Sequence, residues 1–429
     1  MGLLFLLSGC GGWLGADQAK SLPGKRISVM AFDRTLEPDP MLANLAVRLP
    51  KPFVNADWPQ AGGYPNHAMH HLSADGPLKR VWRVDIGTGS GSGGQLLSAP
   101  VVAGGVVYTI DARAEVRAFD AATGRRLWRR ALTPEHEDDS FGGGIAFADG
   151  RLYVTTGFAR VIALEAATGK EIWRSRVGGP IRAAPTVFRG RVFVTTIANE
   201  LVALDAKDGK VQWSHIGITE TAGLLGGAAP TADGSVVLAA YSSGEIVALR
   251  IENGRVIWSD SLTALRRSNP ISTIAHVRGR PVIDRGQVLV TSNSGRTVTI
   301  DLRTGARLWE RAIGSAYGPW VAGAYVYLIS NDGLIVSLMR KTGGVRWVRQ
   351  LQRFEDEEDQ EGPIFWSGLV LAGDRLLLGG SHGVLLSVSP YTGRLLGRVD
   401  ISDKIFIAPV VAGNTVYVLT DRGRLIALR

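Results

Sequence analysis

A ten-residue phrase that recurs along the chain constrains the fold more than any other feature. In most copies an apolar segment ends at a polar residue and is followed by a turn at Thr-Gly or a related pair. The tenth residue of the phrase is a tryptophan. The copies that keep the tryptophan end at Trp128, Trp173, Trp213, Trp258, Trp309 and Trp347. Residues 388–397 form a further copy that ends in Gly397, and a shorter related segment ends in Trp82. Such periodicity indicates structural units that bury their apolar faces against one another.

The spacing of these copies predicts a β-propeller. Successive motif positions from Trp82 to Gly397 are separated by 46, 45, 40, 45, 51, 38 and 50 residues. Repeats of about 40–50 residues that contain several short strands are typical of propeller blades. In the first unit, β-branched and aromatic segments begin at Ser98, Gly104, Glu115 and Arg126, which predicts four strands.

The two ends of the chain predict how the ring closes. Residues 398–429 supply three strand-like segments and stop where the next copy of the phrase should begin. The missing fourth strand is the segment at Trp82, so the N-terminal strand should complete the last blade. The predicted fold is therefore an all-β, eight-bladed propeller of four-stranded blades.

The repeated tryptophans are interpreted as structural residues. An aromatic ring on an outer strand can pack against the next blade and bury about 150–250 Å². The glycine before it permits the positive φ of a tight turn. A row of exposed aromatic rings that binds sugars is the alternative, and it is less typical of blade-spaced tryptophans.

The N-terminus predicts a lipid anchor. A short apolar run ends at Cys10, the only cysteine, and Leu7-Ser-Gly-Cys10 resembles a bacterial lipobox. A buried or incidental cysteine is the alternative. We therefore expect a lipoprotein signal peptide at residues 1–10, a proline-containing tether at 11–57 and the propeller at 58–429. By the same resemblance, Gly11 rather than an aspartate favours the periplasmic face of the outer membrane.

No segment predicts catalysis or a metal site. The histidines of His67-Ala-Met-His70-His71 have no cysteine or acid among them, so a polar loop is favoured over a metal site. Residues 87–94 are glycine-rich but lack the Gly-Lys-Ser/Thr of a phosphate loop. The net charge of +9 permits contact with anionic lipid or acidic proteins. Without a basic helix or an RNA-binding aromatic motif, nucleic acid is not an expected partner.

One acidic run interrupts the repeats. Residues 355–361 contain six acids in seven positions, without the spacing of a calcium-binding EF-hand loop. A solvated insertion between strands is favoured, and a contact for a basic partner is the alternative.

The Thr-Gly-x-x-x-Trp phrase resembles the tryptophan-docking repeat of quinoprotein-type propellers over residues 57–429. Two families share it: the pyrroloquinoline-quinone (PQQ) dehydrogenases and the BamB lipoproteins of the outer-membrane β-barrel assembly (BAM) machinery. The dehydrogenases are much longer and use an adjacent cysteine pair and a Glu–Asn–Asp calcium set, which this chain does not match. The lipobox, the tether and the short loops resemble BamB, as do Leu22–Val29 and Trp58–Gly63.

Resemblance to BamB implies a scaffold with no catalytic residues, no cofactor and no metal. It implies docking on the periplasmic domains of the central barrel insertase (BamA-like), with nascent outer-membrane proteins as further partners. The implied docking residues are Leu224, which matches the family, and Leu225, His276 and Arg278, which depart from it. Packing of both leucines between blades is the alternative. A PQQ-dependent periplasmic oxidoreductase and a generic ligand-binding propeller remain the other functional hypotheses.

Overall fold

The computed structural model describes residues 36–42, 45–135, 141–220, 223–263 and 274–429. Cys10, the predicted signal peptide and most of the predicted tether lie outside these residues. The propeller belongs to the second of two compact units, residues 37–429. Within the described ranges the regular elements are β-strands, and no helix is long and apolar enough to cross a bilayer.

The described strands form eight four-stranded antiparallel sheets, as predicted, and one additional hairpin. The chain enters the ring at β1 (Arg80–Asp85). Blade 1 contains β2 (Val101–Ala103), β3 (Val106–Ile110), β4 (Glu115–Asp120) and β5 (Arg126–Ala131). Blade 2 contains β6 (Gly143–Ala148), β7 (Arg151–Thr156), β8 (Arg160–Glu165) and β9 (Glu171–Arg176). Blade 3 contains β10 (Thr186–Phe188), β11 (Arg191–Thr195), β12 (Glu200–Asp205) and β13 (Val211–Ile216). Blade 4 contains β14 (Thr231–Asp233), β15 (Val236–Ala240), β16 (Glu245–Arg250) and β17 (Val256–Ser261).

The second half of the ring repeats this order. Blade 5 contains β18 (Val282–Asp284), β19 (Gln287–Thr291), β20 (Thr297–Asp301) and β21 (Arg307–Arg311). Blade 6 contains β22 (Trp320–Ala322), β23 (Tyr325–Ile329), β24 (Leu334–Met339) and β25 (Val345–Gln350). The additional hairpin, β26 (Phe354–Asp356) with β27 (Glu361–Pro363), precedes blade 7. Blade 7 contains β28 (Val370–Ala372), β29 (Arg375–Gly379), β30 (Val384–Val388) and β31 (Leu395–Asp400). Blade 8 contains β32 (Val410–Ala412), β33 (Thr415–Leu419) and β34 (Arg424–Leu428), with β1 as its outer strand.

The predicted closure of the ring is confirmed. Strand β1 pairs antiparallel with β34, and Trp82 lies opposite Ala427. The last blade therefore combines strands from both ends of the chain, so no blade is left without a neighbour.

Each tryptophan of the phrase fastens its blade to the following blade. The indole N–H donates a hydrogen bond of 2.7–3.1 Å to a carbonyl in the turn between the third and fourth strands of the next blade. The glycine of that turn has a positive φ, and an added Cβ would lie only 2.5–2.9 Å from the ring. The donors and their acceptors are Trp82–Ala121, Trp128–Ala166, Trp173–Ala206, Trp213–Ile251, Trp258–Leu302, Trp309–Arg340 and Trp347–Pro390.

The topology explains why the copy at Gly397 has no tryptophan. Its outer strand, β31, faces blade 8. In blade 8 no turn joins the third strand to the fourth, because these strands, β34 and β1, come from distant parts of the chain. Arg429 after β34 and Lys79 before β1 hydrogen-bond to each other at that place. A Cβ on Gly397 would meet no atom within 4 Å. A tryptophan at this position would therefore lack the carbonyl and glycine that the other copies use.

The blades give the ring two different faces. Every connection from an outer strand to the next inner strand lies on one face, which we call the mouth face. The turns that join the first to the second strand and the third to the fourth strand lie on the opposite face, which we call the belt face. This division follows from four antiparallel strands per blade.

Residues 53–75, which we call the belt, run around the axis of the ring on the belt face. They hydrogen-bond to the inner strand of each blade in turn, beginning at blade 8 and ending at blade 7. The contacts are Asn55–Gly413, Trp58–Val102, Pro59–Phe147, Gln60–Val187, Pro65–Ala232, Asn66–Ile283, His70–Trp320 and Leu72–Gly373. An inner strand has an unpaired edge toward the axis, and the belt supplies partners for its N–H and C=O groups.

Residues 39–42 and 45–50, which the sequence analysis placed in the tether, also lie on the belt face. The Asp39 N–H donates to the Val345 carbonyl at the outer strand of blade 6, and Pro50 reaches Gly323 beside the inner strand. The His71 ring contacts the Pro50 carbonyl at 2.7 Å. The chain therefore crosses blade 6 from its rim to the axis before it continues as the belt.

Candidate functional site on the mouth face

The axis of the propeller contains a cavity of about 350 Å³. Its walls are the short segments that precede the inner strands, and its floor includes Trp58, Gly62 and His67 of the belt. Because the belt covers the other end, the cavity faces the mouth face. The connections between blades, which include all the implied docking residues, surround this opening.

The structure brings the four implied docking residues together. Residues 223–227 precede blade 4, residues 274–281 precede blade 5, and we call these two segments the docking loops. The Leu224 N–H donates to Nδ1 of His276 at 2.9 Å, and Nε of Arg278 donates to the Leu225 carbonyl at 2.8 Å. Two connections that are about 50 residues apart in sequence are therefore joined by hydrogen bonds into one surface.

His276 is a neutral acceptor in this arrangement. Burial, reinforced by the positive charge of Arg278, lowers the pKa of His276 to about 4. Its Nδ1 can accept from the Leu224 N–H only while that nitrogen is unprotonated. The neutral imidazole thus holds the first docking loop through a backbone hydrogen bond.

Arg278 holds the docking loops through carbonyl acceptors and has no acidic partner among the described residues. Besides the Leu225 carbonyl, its guanidinium donates to the Ala316 carbonyl at 3.4 Å and lies 5.4 Å from the centroid of the Tyr317 ring. Leu224 is half-buried, whereas Leu225 is 39% exposed on the opening. Of the two leucines, Leu225 is therefore the one that a partner could contact directly.

The cavity contains two further arginines that the sequence analysis missed. Arg182 and Arg280 stand immediately before the inner strands of blades 3 and 5, in Arg182-Ala-Ala-Pro and Arg280-Pro281, and both line the cavity. Their signal in the sequence is an arginine one to three residues before a proline that precedes an apolar strand. This signal does not predict a shared site, because the two arginines come together only when the ring closes around its axis.

The acidic run lies on the same face. Glu355 to Glu361 spans the β26–β27 hairpin, and its side chains are exposed. No Lys or Arg of the described ranges forms an ion pair with these carboxylates within 4 Å. The hairpin is thus a solvated insertion in this chain, as favoured, and its charge faces the side on which the docking loops lie.

The three histidines of the belt have separate partners. Nδ1 of His67 lies 2.8 Å from the Pro281 carbonyl, and Nε2 of His70 lies 3.4 Å from Asp284. His71 contacts the Pro50 carbonyl and Asp374. The described residues contain no group of three His, Cys, Asp or Glu that could hold a metal.

The cavity does not fit a calcium-bound quinone cofactor. Calcium takes six to eight oxygen ligands, with carboxylates prominent among them. The lining within the described residues includes one carboxylate, Asp421, and no second acid beside it. The residues on the axis are thus unlike a calcium site.

Comparison with known proteins places the chain among propellers of one functional family. The model of the family "Outer membrane protein assembly factor BamB" matches residues 74–135, 112–349 and 350–429. The assembly factor BamB of Yersinia pestis is 27% identical over 357 residues, which cover 81% of this chain and 88% of that protein. The crystal structure of BamB from Moraxella catarrhalis superposes with a TM-score of 0.70 at 20% identity, covering 82% of this chain and 99% of that one. Quinohemoprotein alcohol dehydrogenase from Comamonas testosteroni shares the fold, with a TM-score of 0.65 at 16% identity, covering 87% of this chain and 80% of that one.

Proposed function

The chain belongs to the family of outer membrane protein assembly factor BamB, and from that premise we propose that it is a non-enzymatic scaffold of the BAM machinery. The scaffold docks its mouth face on the periplasmic domains of the central, BamA-like barrel insertase. The observation that carries this proposal is the pair of hydrogen bonds that joins the two docking loops and holds Leu225 exposed on an ordered surface.

Preorganisation is the physical reason to favour this surface. A loop that is ordered only on binding loses conformational entropy at that step, which reduces affinity. Here the hydrogen bonds of His276 and Arg278 hold both loops before a partner arrives. Interface energy concentrates in a few central side chains, and arginine and aromatic residues are common among them. Leu225, Arg278 and Tyr317 form such a centre.

Two of the three departures from the family pattern, His276 and Arg278, predict a different charge in the partner. The resemblance to BamB implies acids at the positions of His276 and Arg278, whereas in this chain burial keeps His276 neutral near pH 7. Arg278 has no carboxylate within ion-pair distance among the described residues. The insertase of the same cell should therefore present an acidic or carbonyl-rich contact, rather than a basic one, to this position.

A lipid anchor at the N-terminus is the second part of this proposal. Cys10 is the proposed lipidation site and would hold the protein on the periplasmic face of the outer membrane. Residues 39–42 and 45–50 lie on the belt face, so they leave the mouth face uncovered. Loss of palmitate labelling in Cys10→Ser, with labelling retained in the parent chain, tests the anchor.

The absence of catalysis is likewise a proposal. The runner-up activity, a PQQ-dependent oxidoreductase, is disfavoured by the poor calcium ligation available on the axis. Dye-linked alcohol oxidation by the purified chain supplied with quinone and calcium would overturn the non-enzymatic proposal.

Binding to the purified periplasmic domains of the insertase tests the docking surface. We expect Leu225→Asp and Arg278→Ala each to weaken binding at least tenfold, because a desolvated centre is costly to disrupt. The matched control is Leu396→Asp, an exposed leucine on the outer strand of blade 7. Equal affinities for the parent chain and Leu225→Asp would reject this docking surface.

A further inference from the structure

The axial cavity has an unbalanced positive charge. Arg182, Arg278 and Arg280 all line it, and the one acid in the described lining, Asp421, forms no ion pair within 4 Å among the described residues. His67 in the floor does not offset or add charge, because burial lowers its pKa to about 3 and keeps the ring neutral. Three guanidinium groups therefore share a small space, and none has a carboxylate partner in the part of the chain that the structure describes.

Arg280 is the deepest of these cations. Its Nε lies 3.2 Å from the position that a Cβ on Gly62 would occupy, and the His67 ring lies 2.8 Å from the same position. Its guanidinium makes no hydrogen bond or ion pair with the described residues. Burial, and secondly the charge of Arg278, lower the pKa of Arg280 to about 10, so the group remains a cation at neutral pH.

Several other partly buried arginines of the ring form ion pairs. Arg340 forms an ion pair with Asp284 at 2.5 Å, Arg117 with Glu115 at 3.0 Å and Arg307 with Asp260 at 2.7 Å. Leaving a buried charge without a partner is costly. Arg280 is half-buried, lines the cavity and makes no such pair with the described residues, so its charge is available to a ligand.

Arg182 repeats the exception on the neighbouring wall. Its Nε is buried and has no hydrogen-bond partner among the described residues. The wall segments of blades 3 and 4 adjoin there, since the Cβ position of Gly227 lies 3.6 Å from Ala183. Arg278 differs, because carbonyls of Leu225 and Ala316 accept its hydrogen bonds. Of the three arginines that line the cavity, Arg182 and Arg280 are therefore the two whose side chains have no hydrogen-bond acceptor among the described residues.

We propose that the axial cavity binds a small organic di- or tricarboxylate, which pairs with Arg280 and Arg182. The planar fork of a guanidinium matches a carboxylate with two parallel hydrogen bonds. Trp320, Leu96 and Leu369 supply apolar walls for the carbon skeleton. A cavity of about 350 Å³ suits a metabolite-sized ligand rather than a folded partner. This site does not rest on the proposed docking function.

Calorimetric titration of the full-length chain with citrate, succinate and succinamide at constant ionic strength tests the site. Succinamide matches succinate in shape but has no charge. We expect citrate to bind more tightly than succinate, and succinamide to produce no binding heat. Arg280→Met and Arg182→Gln should each weaken citrate binding at least tenfold, whereas the exposed control Arg129→Gln should leave it unchanged.

A second measurement separates binding from folding. Without ligand, Arg280→Met should unfold at the same or a higher temperature than the parent chain, because it removes a half-buried charge that has no partner among the described residues. Citrate should raise the melting temperature of the parent chain and leave that of Arg280→Met unchanged. The site is rejected if citrate and succinate give no binding heat, if succinamide binds as tightly as succinate, or if Arg280→Met binds citrate like the parent chain.

Discussion

The two faces of the propeller differ in what satisfies their polar groups. On the belt face, the chain itself is the partner: residues 53–75 pair with the inner strands, and seven indoles donate to the turns of neighbouring blades. On the mouth face, Leu225 is exposed, and Arg182 and Arg280 lack partners among the described residues. The belt face therefore holds the ring together, and the mouth face has groups left over for binding. Substitutions on the first should reduce stability, and substitutions on the second should reduce binding.

The largest expected effect comes from removing a tryptophan of the phrase. Trp173 is buried, donates to the Ala206 carbonyl and packs 6.0 Å from the Tyr153 ring. Trp173→Ala should lower the free energy of unfolding by about 3–5 kcal/mol, because it leaves a cavity between two blades. The control, Leu396→Ala on the outer strand without a tryptophan, should change it by less than about 0.5 kcal/mol. Urea unfolding measures both, and similar losses would break the distinction between the strands.

A belt substitution should come next. Leu72 is fully buried and pairs through its backbone with blade 7. Leu72→Ala should lower the free energy of unfolding by about 2–5 kcal/mol, since its methyl groups fill a closed core. Leu225→Ala on the mouth face should cost less than about 0.5 kcal/mol in the same urea titration. If Leu225→Ala proved as damaging as Leu72→Ala, the mouth face would be part of the folding core.

A glycine of the turns gives a smaller effect with a geometric cause. Gly169 has a φ of +72°, and an added Cβ would lie 2.7 Å from the Trp128 ring. Gly169→Ala should lower the free energy of unfolding by about 1–3 kcal/mol, through backbone strain and displacement of the indole. Gly105→Ala, at a φ of +75° with no atom within 4 Å, carries the strain without the clash. The expected difference between these two variants in urea is the cost of the clash alone.

The smallest effect concerns pH and the mouth face. The folded pKa of His276 is about 4, below its ordinary value of 6.5, so the unfolded chain takes up this proton first. The stability contributed by neutral His276 is complete above pH 6.5 and is lost as the pH falls toward 4. His276→Gln retains an acceptor for Leu224 without titrating, so its melting temperature should fall less between pH 7 and pH 4. Parallel melting curves would contradict this role for His276.

Periodic positions could be predicted from the sequence, and their packing follows from local chemistry. The phrase around Thr123 illustrates why: Asp120 accepts from both the N–H and the hydroxyl of Thr123, which fixes the turn within four residues. These hydrogen bonds hold the pKa of Asp120 below its usual value. Trp82 predicted the closing strand because it lies at the tryptophan position of the repeat.

The belt and the cavity could not be predicted in this way. The belt pairs largely through its backbone with strands as far away as Gly413, so its side chains show no period. Arg182 and Arg280 are about 100 residues apart and share a cavity only because the ring closes. The docking residues were implied by family resemblance. Their mutual hydrogen bonds required the structure.

Photo-crosslinking in cells tests the central claim, that the mouth face docks the insertase while the belt face is sealed by the chain itself. A photoreactive amino acid replaces either Leu225 on the mouth face or Lys207, an exposed residue in a turn of the belt face. We predict a crosslink to the periplasmic domains of the insertase from position 225 and none from position 207. A crosslink from position 207 alone, or equal yields from both positions, would contradict the account.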